Sequence, residues 1–248
     1  MKVTLLHYTP IYICSHAIRT CWQSFSKGDC GGEKDLELID RVGNKFKHAS
    51  TLEHLYYNFY IQGISRACLQ ELARHRIASL SVKSTRYTLK ELKGEESFLP
   101  INAENIKRAK KYVVLMGESS GDSIVESKVE SAESSIDSAT NLAESIESKA
   151  DSKLDSQIAK VDSASIHALE NLRLILLENT SLDIAKYALI ESYKTELTWS
   201  INARSLQNFL MLRSSKSALR EIRHLALSIY EALPEEHKFI FLPYINEK

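Results

Sequence analysis

Residues 54–76, HLYYNFYIQGISRACLQELARHR, change period halfway along. Leu55, Tyr57, Phe59 and Ile61 alternate with more polar neighbours, the period of two that turns one face of a half-buried strand toward a core. RACLQELARHR then reads as a helix that ends in a cationic triplet, Arg74, His75 and Arg76. The pattern recurs downstream. YKTELTWSI alternates Tyr193, Thr195, Leu197, Trp199 and Ile201 as a second strand, and NARSLQNFLMLR and SALREIRHLALSIYEAL follow as helices. Strands and helices come in mixed order, without the regular βαβ alternation of a parallel sheet. The expected class is α+β, with helices packed on a mainly antiparallel sheet.

The chain has 248 residues, 44% of them hydrophobic and 26% charged, a composition typical of a soluble globular protein with a substantial core. No apolar run approaches the roughly 18 residues of a membrane span. Pro10, His16 and Arg19 come too early for a signal-peptide core and cleavage site. Cys14, Cys21, Cys30 and Cys68 show neither a disulfide framework nor CxxC spacing, so they are expected as reduced thiols, mostly core filler, in a cytoplasmic protein.

Formal net charge is zero, yet it is unevenly spread. Residues 117–165 carry 11 Asp or Glu against 4 Lys, a local net of −7, and the rest of the chain must offset it. A basic body suggests anionic ligands. The acidic stretch is a low-complexity segment, with serine at 14 of its 49 positions and no aromatic residue. Val129, Ala132, Ile136, Ala139, Ala143, Ile146 and Ala150 alternate spacings of three and four, the seam of a coiled coil. Seam residues this small bury little area, and serine is a mediocre helix former. A solvated helix or helical hairpin and a disordered segment both fit. The segment is expected as a Ser/Glu-rich helical or disordered insertion in a single domain spanning 1–248. Its flanks, NIKRAKKYVVLMG and SIHALENLRLILLEN, have helical spacing.

Three constellations carry chemistry. RHRIASLSVKSTRYT, residues 74–88, follows its cationic triplet with four Ser or Thr hydroxyls before Arg86 and contains no carboxylate. Phosphate-binding glycine loops are missing, since the chain has eight glycines and neither GxGxxG nor GxxxxGK. Phosphate would have to be held by side chains and helix N-termini, for which the planar fork of arginine is suited. Cations also favour helix C-termini, so charge alone fits a solvated basic helix end equally well. The second constellation is NARSLQNFLMLR, residues 202–213. On a helix Arg204 and Asn208 share a face, and Arg213 lies roughly 140° around from Asn208. Such a helix could sit between two ligands or two subunits, or be an ordinary amphipathic core helix. The third is KHASTLEH, residues 47–54. His48 and His54 are too loosely spaced for a zinc site. Ser50 or Thr51 could cap a helix, with Glu53 three residues after Ser50.

Taken together, RHRIAS followed by STRY, NARSLQNFLMLR downstream and STLEH upstream closely resemble the flavin-dependent thymidylate synthases. That family's RHR-x7-S pattern stands here as Arg74, His75, Arg76 and Ser84. The likeness runs through roughly residues 40–90 and 182–225. It implies an α+β homotetramer with active sites where subunits meet. It also implies FAD as cofactor, dUMP as substrate, methylenetetrahydrofolate as carbon donor and NADPH as reductant, with a hydride from reduced flavin completing the methyl group. No cysteine nucleophile is needed in such a scheme.

Carried over by position, the resemblance implies flavin contacts for Arg74, His75, Arg76 and Ile77, with Arg74 also reaching dUMP. Ser50, Asn202, Ala203, Arg204 and Asn208 match further FAD positions. Val82, Lys83, Ser84, Thr85 and Arg86 match the loop that holds the dUMP phosphate, and Glu71 and Lys186 match further substrate positions. Arg213 matches the arginine that polarises the uracil and favours loss of its N3 proton, and His48 a histidine near flavin and folate. Three positions depart from the family pattern: Val82 where Glu is common, Glu71 where Gln is common, and Lys186 where Arg is common. Lys186 keeps the charge and loses the bidentate fork. The rival reading is a nucleic-acid-binding module that uses the basic 74–93 segment to contact phosphates and stack bases. Zero net charge and the absence of a binding-module signature weigh against it.

Overall fold

The structure is a computed structural model and describes residues 1–117 and 140–245. In chain order its elements are β1 (Lys2–Tyr8), α1 (Tyr12–Thr20), α2 (Glu33–Ile39), β2 (Tyr56–Ser65), α3 (Arg66–Ala73), β3 (Ala78–Val82) and α4 (Thr85–Thr88). There follow α5 (Ala103–Ala109), α6 (Thr140–Leu177), α7 (Leu182–Ala185), β4 (Lys194–Asn202), α8 (Ala203–Arg213), α9 (Arg220–Glu231) and α10 (Lys238–Phe241). The chain, expected as one domain, divides into two compact units: Met1–Lys83 with Thr195–Lys248, and Ser84–Lys194.

The first unit holds a four-stranded antiparallel sheet of order β1-β2-β4-β3. Its register pairs Lys2 with Gln62 at one edge and Ala78 with Ile201 at the other. The alternation seen in the sequence sets which face is buried. Leu55, Tyr57, Phe59, Ile61, Leu197, Trp199 and Ile201 all pack into one core with Leu72 of α3, Phe209 of α8 and Ile222 of α9. Each such side chain, taken fully from water, contributes about 1.5–3 kcal/mol. The opposite face is polar and half-buried: the Tyr60 hydroxyl donates to Glu196 at 2.5 Å, and Lys83 pairs with the same carboxylate at 3.3 Å.

Two strands run straight into helices, and at each junction a polar side chain stops the strand and starts the helix. Ser65 Oγ accepts from Cys68 N at 3.0 Å to cap α3, and Asn202 Oδ1 accepts from Ser205 N at 2.8 Å to cap α8. Each cap satisfies one of the backbone donors that a helix N-terminus leaves unpaired. Ser65 is also tied to α9, because its N–H donates to Glu221 Oε1 at 2.7 Å and its hydroxyl donates to Glu221 Oε2. Cys14 and Cys68 are buried, as core filler should be, whereas Cys21 and Cys30 are exposed; all four are free.

The second unit is helical around a core that includes Leu89, Phe98, Val113, Leu169, Leu172 and Leu176. Inside it Glu170 pairs with Arg173 at 2.7 Å and accepts from Phe98 N at 2.9 Å. These bonds, Arg173 first, hold the Glu170 carboxyl down to about 2. Two sequence expectations change here. The helical flank NIKRAKKYVVLMG is helical only through Ala109. Val114 N donates to Ser192 O and Lys194 N to Tyr112 O, so this backbone pairs with a distant segment instead of continuing a helix. The compositional boundary at residue 165 falls inside α6, which runs unbroken from Thr140 to Leu177. Asp162 accepts from the N–H groups of Met116 and Gly117, and Ser165 is buried, so the end of the acidic stretch is part of the folded unit. The seam residues Val129, Ala132, Ile136 and Ala139 lie outside the described residues.

Candidate active site

The cationic triplet and the start of α8 meet in the first unit because both leave the sheet in the same way, from a strand into a capped helix. Where α3 ends, Arg74, His75, Arg76 and Ile77 line a cavity of about 740 Å³. Its other wall is Asn202, Arg204, Ser205, Asn208, Leu212 and Arg213, with Glu53 at the rim. That volume lies within the usual range for small-molecule sites.

Arg213 is the best-anchored of these groups, with its side chain 17% exposed. Its Nη1 sits 2.7 Å from Glu71 Oε2, its Nε donates to His75 Nε2 at 3.1 Å, and its Nη2 donates to the Glu71 carbonyl at 3.4 Å. Accepting at Nε2 leaves the imidazole proton on Nδ1. Burial first, then the neighbouring Arg213 charge, push His75 down to about 4, so the ring is neutral at physiological pH. The ring packs edge-on against Phe209 at 5.0 Å, and Phe209 against Trp199 at 5.1 Å, which ties the cavity wall to the core of the sheet. Helical geometry placed Arg213 on a different face from Asn208, yet both line this cavity. A long arginine side chain at the last turn reaches around the helix end.

Arg204 pairs with Glu53 at 2.5 Å, but both side chains are about half exposed. An ion pair in that setting is worth about 0–1 kcal/mol and opens readily to a ligand. Glu53 therefore serves Arg204 and not a capping box: the Ala49–His54 turn has no side-chain cap, and Thr51 Oγ1 donates to His48 O. Ser50 and His48 are exposed on this same turn, outside the cavity wall. Ala203 is fully buried and contributes through its backbone, its N–H donating to Leu55 O at 2.8 Å. Val82 is exposed at the end of β3, and the next residue, Lys83, is held by Glu196.

The remaining substrate positions belong to the second unit. Ser84 precedes α4, and Thr85 and Arg86 lie in it. Arg86 turns its fork on Asp183 of α7, with Nε 2.7 Å from Oδ1 and Nη2 3.3 Å from Oδ2. Lys186 follows α7 directly, its Nζ 5.7 Å from the centre of the Tyr187 ring. The basic stretch proposed for nucleic acid is divided by these pairings, since Lys83 and Arg86 already hold carboxylates.

Glu53, Ser205 and Leu212 line the cavity without having been singled out as ligand contacts. The signal for Leu212 was spacing, because Arg204, Asn208 and Leu212 follow at intervals of four on one helix stripe. Among the described residues, no three His, Cys, Asp or Glu side chains gather to hold a metal, and no helix is long and apolar enough to cross a membrane.

Comparison with known proteins places this architecture. A family model for thymidylate synthase complementing proteins matches residues 4–237. The flavin-dependent thymidylate synthase of Campylobacter jejuni strain RM1221 is 61% identical over 241 residues, which is 97% of this chain and 96% of that one. The enzyme of the same description from Wolinella succinogenes is 60% identical over 241 residues, 97% of each chain. Among solved structures, the Helicobacter pylori flavin-dependent thymidylate synthase complexed with FAD and dUMP matches with a TM-score of 0.79. It is 52% identical, covering 99% of this chain and 100% of that one.

Proposed function

Because the chain belongs to the thymidylate synthase complementing proteins, the flavin-dependent thymidylate synthases, we propose that it binds FAD and converts dUMP to dTMP, with methylenetetrahydrofolate as carbon donor and NADPH as reductant. The observation that carries this reading is the convergence of Arg74–Ile77, the N-terminus of α8 and Arg213 on one cavity.

The donor set suits FAD. Four arginines of the cavity meet two carboxylates, Glu53 on Arg204 and Glu71 on Arg213, which leaves two positive charges for a doubly ionised diphosphate. Arg74 and Arg76 are both exposed, and Arg204 becomes available when its surface pair opens. Asn202 and Asn208 offer amides, and Ile77, 73% exposed, offers an apolar side chain to a ring. Ser50 and His48 lie on the turn that carries Glu53 and are assigned to FAD and to flavin with folate, respectively. Reduced flavin, when bound, supplies the hydride that completes the methyl group.

The substrate is held by the chain's own groups. Ser84, Thr85, Arg86 and Lys186 take the dUMP phosphate, with hydroxyls and cations gathered around α4 and α7, and Val82 and Lys83 lead into that loop. Arg74 and Glu71 carry the family's further dUMP assignments. Arg213 stabilises negative charge that develops on the uracil as its N3 proton leaves, and its fixed guanidinium needs no reorganisation to do so. The exposed positions of His48 and Ser50 fit a homotetramer in which neighbouring subunits complete each site.

The first test is the visible spectrum of the purified protein after addition of FAD and gel filtration. Retained flavin at about one per chain, with dTMP formed from dUMP, supports the reading. A well-folded protein that retains none overturns it. Arg213→Ala is expected to keep FAD and lower kcat by roughly 10²–10³-fold; turnover near wild type would remove Arg213 from the chemistry. Light scattering is expected to give the mass of four 28.1 kDa chains.

A further inference from the structure

Arg213 cannot act unless its guanidinium is aimed, and three of its five N–H donors are already committed. One goes to His75 Nε2, one to the Glu71 carbonyl and one to the Glu71 carboxylate. Two of these three partners belong to a single residue. Glu71 sits in the last full turn of α3, so its main-chain oxygen is among those a helix C-terminus leaves without an intrahelical partner. Its side chain lies one turn before Arg74 and reaches that arginine as well, at 3.7 Å. A carboxylate that grips Arg213 at 2.7 Å, on the side opposite the His75 contact, fixes the plane of the guanidinium and leaves two donors for a ligand.

We propose that Glu71 is a positioning residue: it holds Arg213 in the orientation that presents its two remaining N–H groups to the cavity. The assignment gives Glu71 a task other than direct substrate contact, and it rests on the reading of Arg213 given above. His75 alone leaves Arg213 free to pivot about the Nε–H bond. The carbonyl contact is long, so the carboxylate is the second fixed point.

Three variants and two measurements test this. Glu71→Ala removes the second fixed point, and Glu71→Gln keeps an oxygen acceptor while removing the charge. Arg213→Lys identifies the Arg213 Nε–H cross-peak in ¹⁵N spectra of the ligand-free protein by deleting it. In the wild type that cross-peak is expected to be resolved and slow to exchange. In Glu71→Ala it is expected to broaden or exchange rapidly, and Glu71→Gln should restore it in part. In turnover assays Glu71→Ala is expected to lower kcat about 10–100-fold with KM for dUMP changed far less, since misplacement on the order of 1 Å costs that much. Glu71→Gln should recover most of the loss.

A wild-type-like, protected cross-peak in Glu71→Ala would overturn the proposal, whatever the activity. A loss of protection with kcat and KM unchanged would also overturn it, because the positioning would then serve no reaction. If the wild type forms no dTMP while the cross-peak behaves as expected, the functional reading fails and the anchoring of Arg213 by Glu71 stands.

Discussion

Arg86 and Arg213 are both ion-paired, and the two pairs differ in how readily they open. The Arg86–Asp183 pair is 58% exposed on each side, so solvent screens it to about 0–1 kcal/mol. On the proposed assignment of Arg86 to the dUMP phosphate, an incoming phosphate has to displace Asp183. Asp183→Asn is therefore expected to tighten dUMP binding by up to about fivefold, which calorimetry reads directly. A weaker affinity would mean that Asp183 helps to shape the phosphate site. Arg213 is mostly buried and also leans on a histidine that stays neutral. The His75 imidazole is held down to about 4, so its NMR resonances should stay flat from pH 8 to about 5.5 and move only below that. A midpoint near 6.5 would show that the ring is wet and the cavity wall open. The charges of the site were legible in the sequence, because RHR and STR stand as compact runs. Their partners were not: Glu71 and Arg213 meet across 142 positions, and no local pattern marks such a pair.

The helices that build the site are set by the strands before them. Alternation at 55–61 and 197–201 was readable because every second side chain meets one core, and the helices that follow start where Ser65 and Asn202 cap them. The end of α5 was not readable, since the backbone beyond it takes its partners from residues 192–194. The two caps make a prediction at this scale. Ser65→Ala removes the cap of α3 and one ligand of the Glu221 carboxylate. It is expected to cost about 1–2 kcal/mol in urea unfolding, with the midpoint moved and the slope kept. Because α3 delivers Arg74–Ile77, flavin retention should weaken in the same variant. A loss of stability with unchanged flavin affinity would show that the triplet is placed by contacts other than the helix start.

Across the molecule, response to acid is divided between the two units. His237 is fully buried, its Nδ1 is 2.7 Å from the Tyr57 hydroxyl, and burial pushes it down to about 4. The unfolded chain takes up a proton there near the ordinary value of about 6.5 and the native protein does not. The stability associated with the neutral ring is therefore complete above about pH 6.5 and lost as pH falls toward 4. It amounts to on the order of 3 kcal/mol. His237→Asn is expected to flatten that limb of a stability–pH curve, and a slope unchanged from wild type would assign it to other groups. In the second unit the Glu170 carboxyl acts lower: its contribution is present above about 4.5 and fades toward 2. The fold class was legible from periodicity, whereas the division at residues 84 and 194 was not, because composition changes at 117 and 165 instead. Behind the cavity wall the edge-to-face rings of His75, Phe209 and Trp199 lead into the core. The chain has two tryptophans, Trp199 sealed in the core and Trp22 83% exposed. With Trp22→Phe, tryptophan fluorescence excited at the red edge comes from Trp199 alone, one phenyl ring away from the cavity wall and beyond the reach of iodide. Flavin absorbs where tryptophan emits, so the protein carries its own optical gauge of cofactor loading, readable without catalysis.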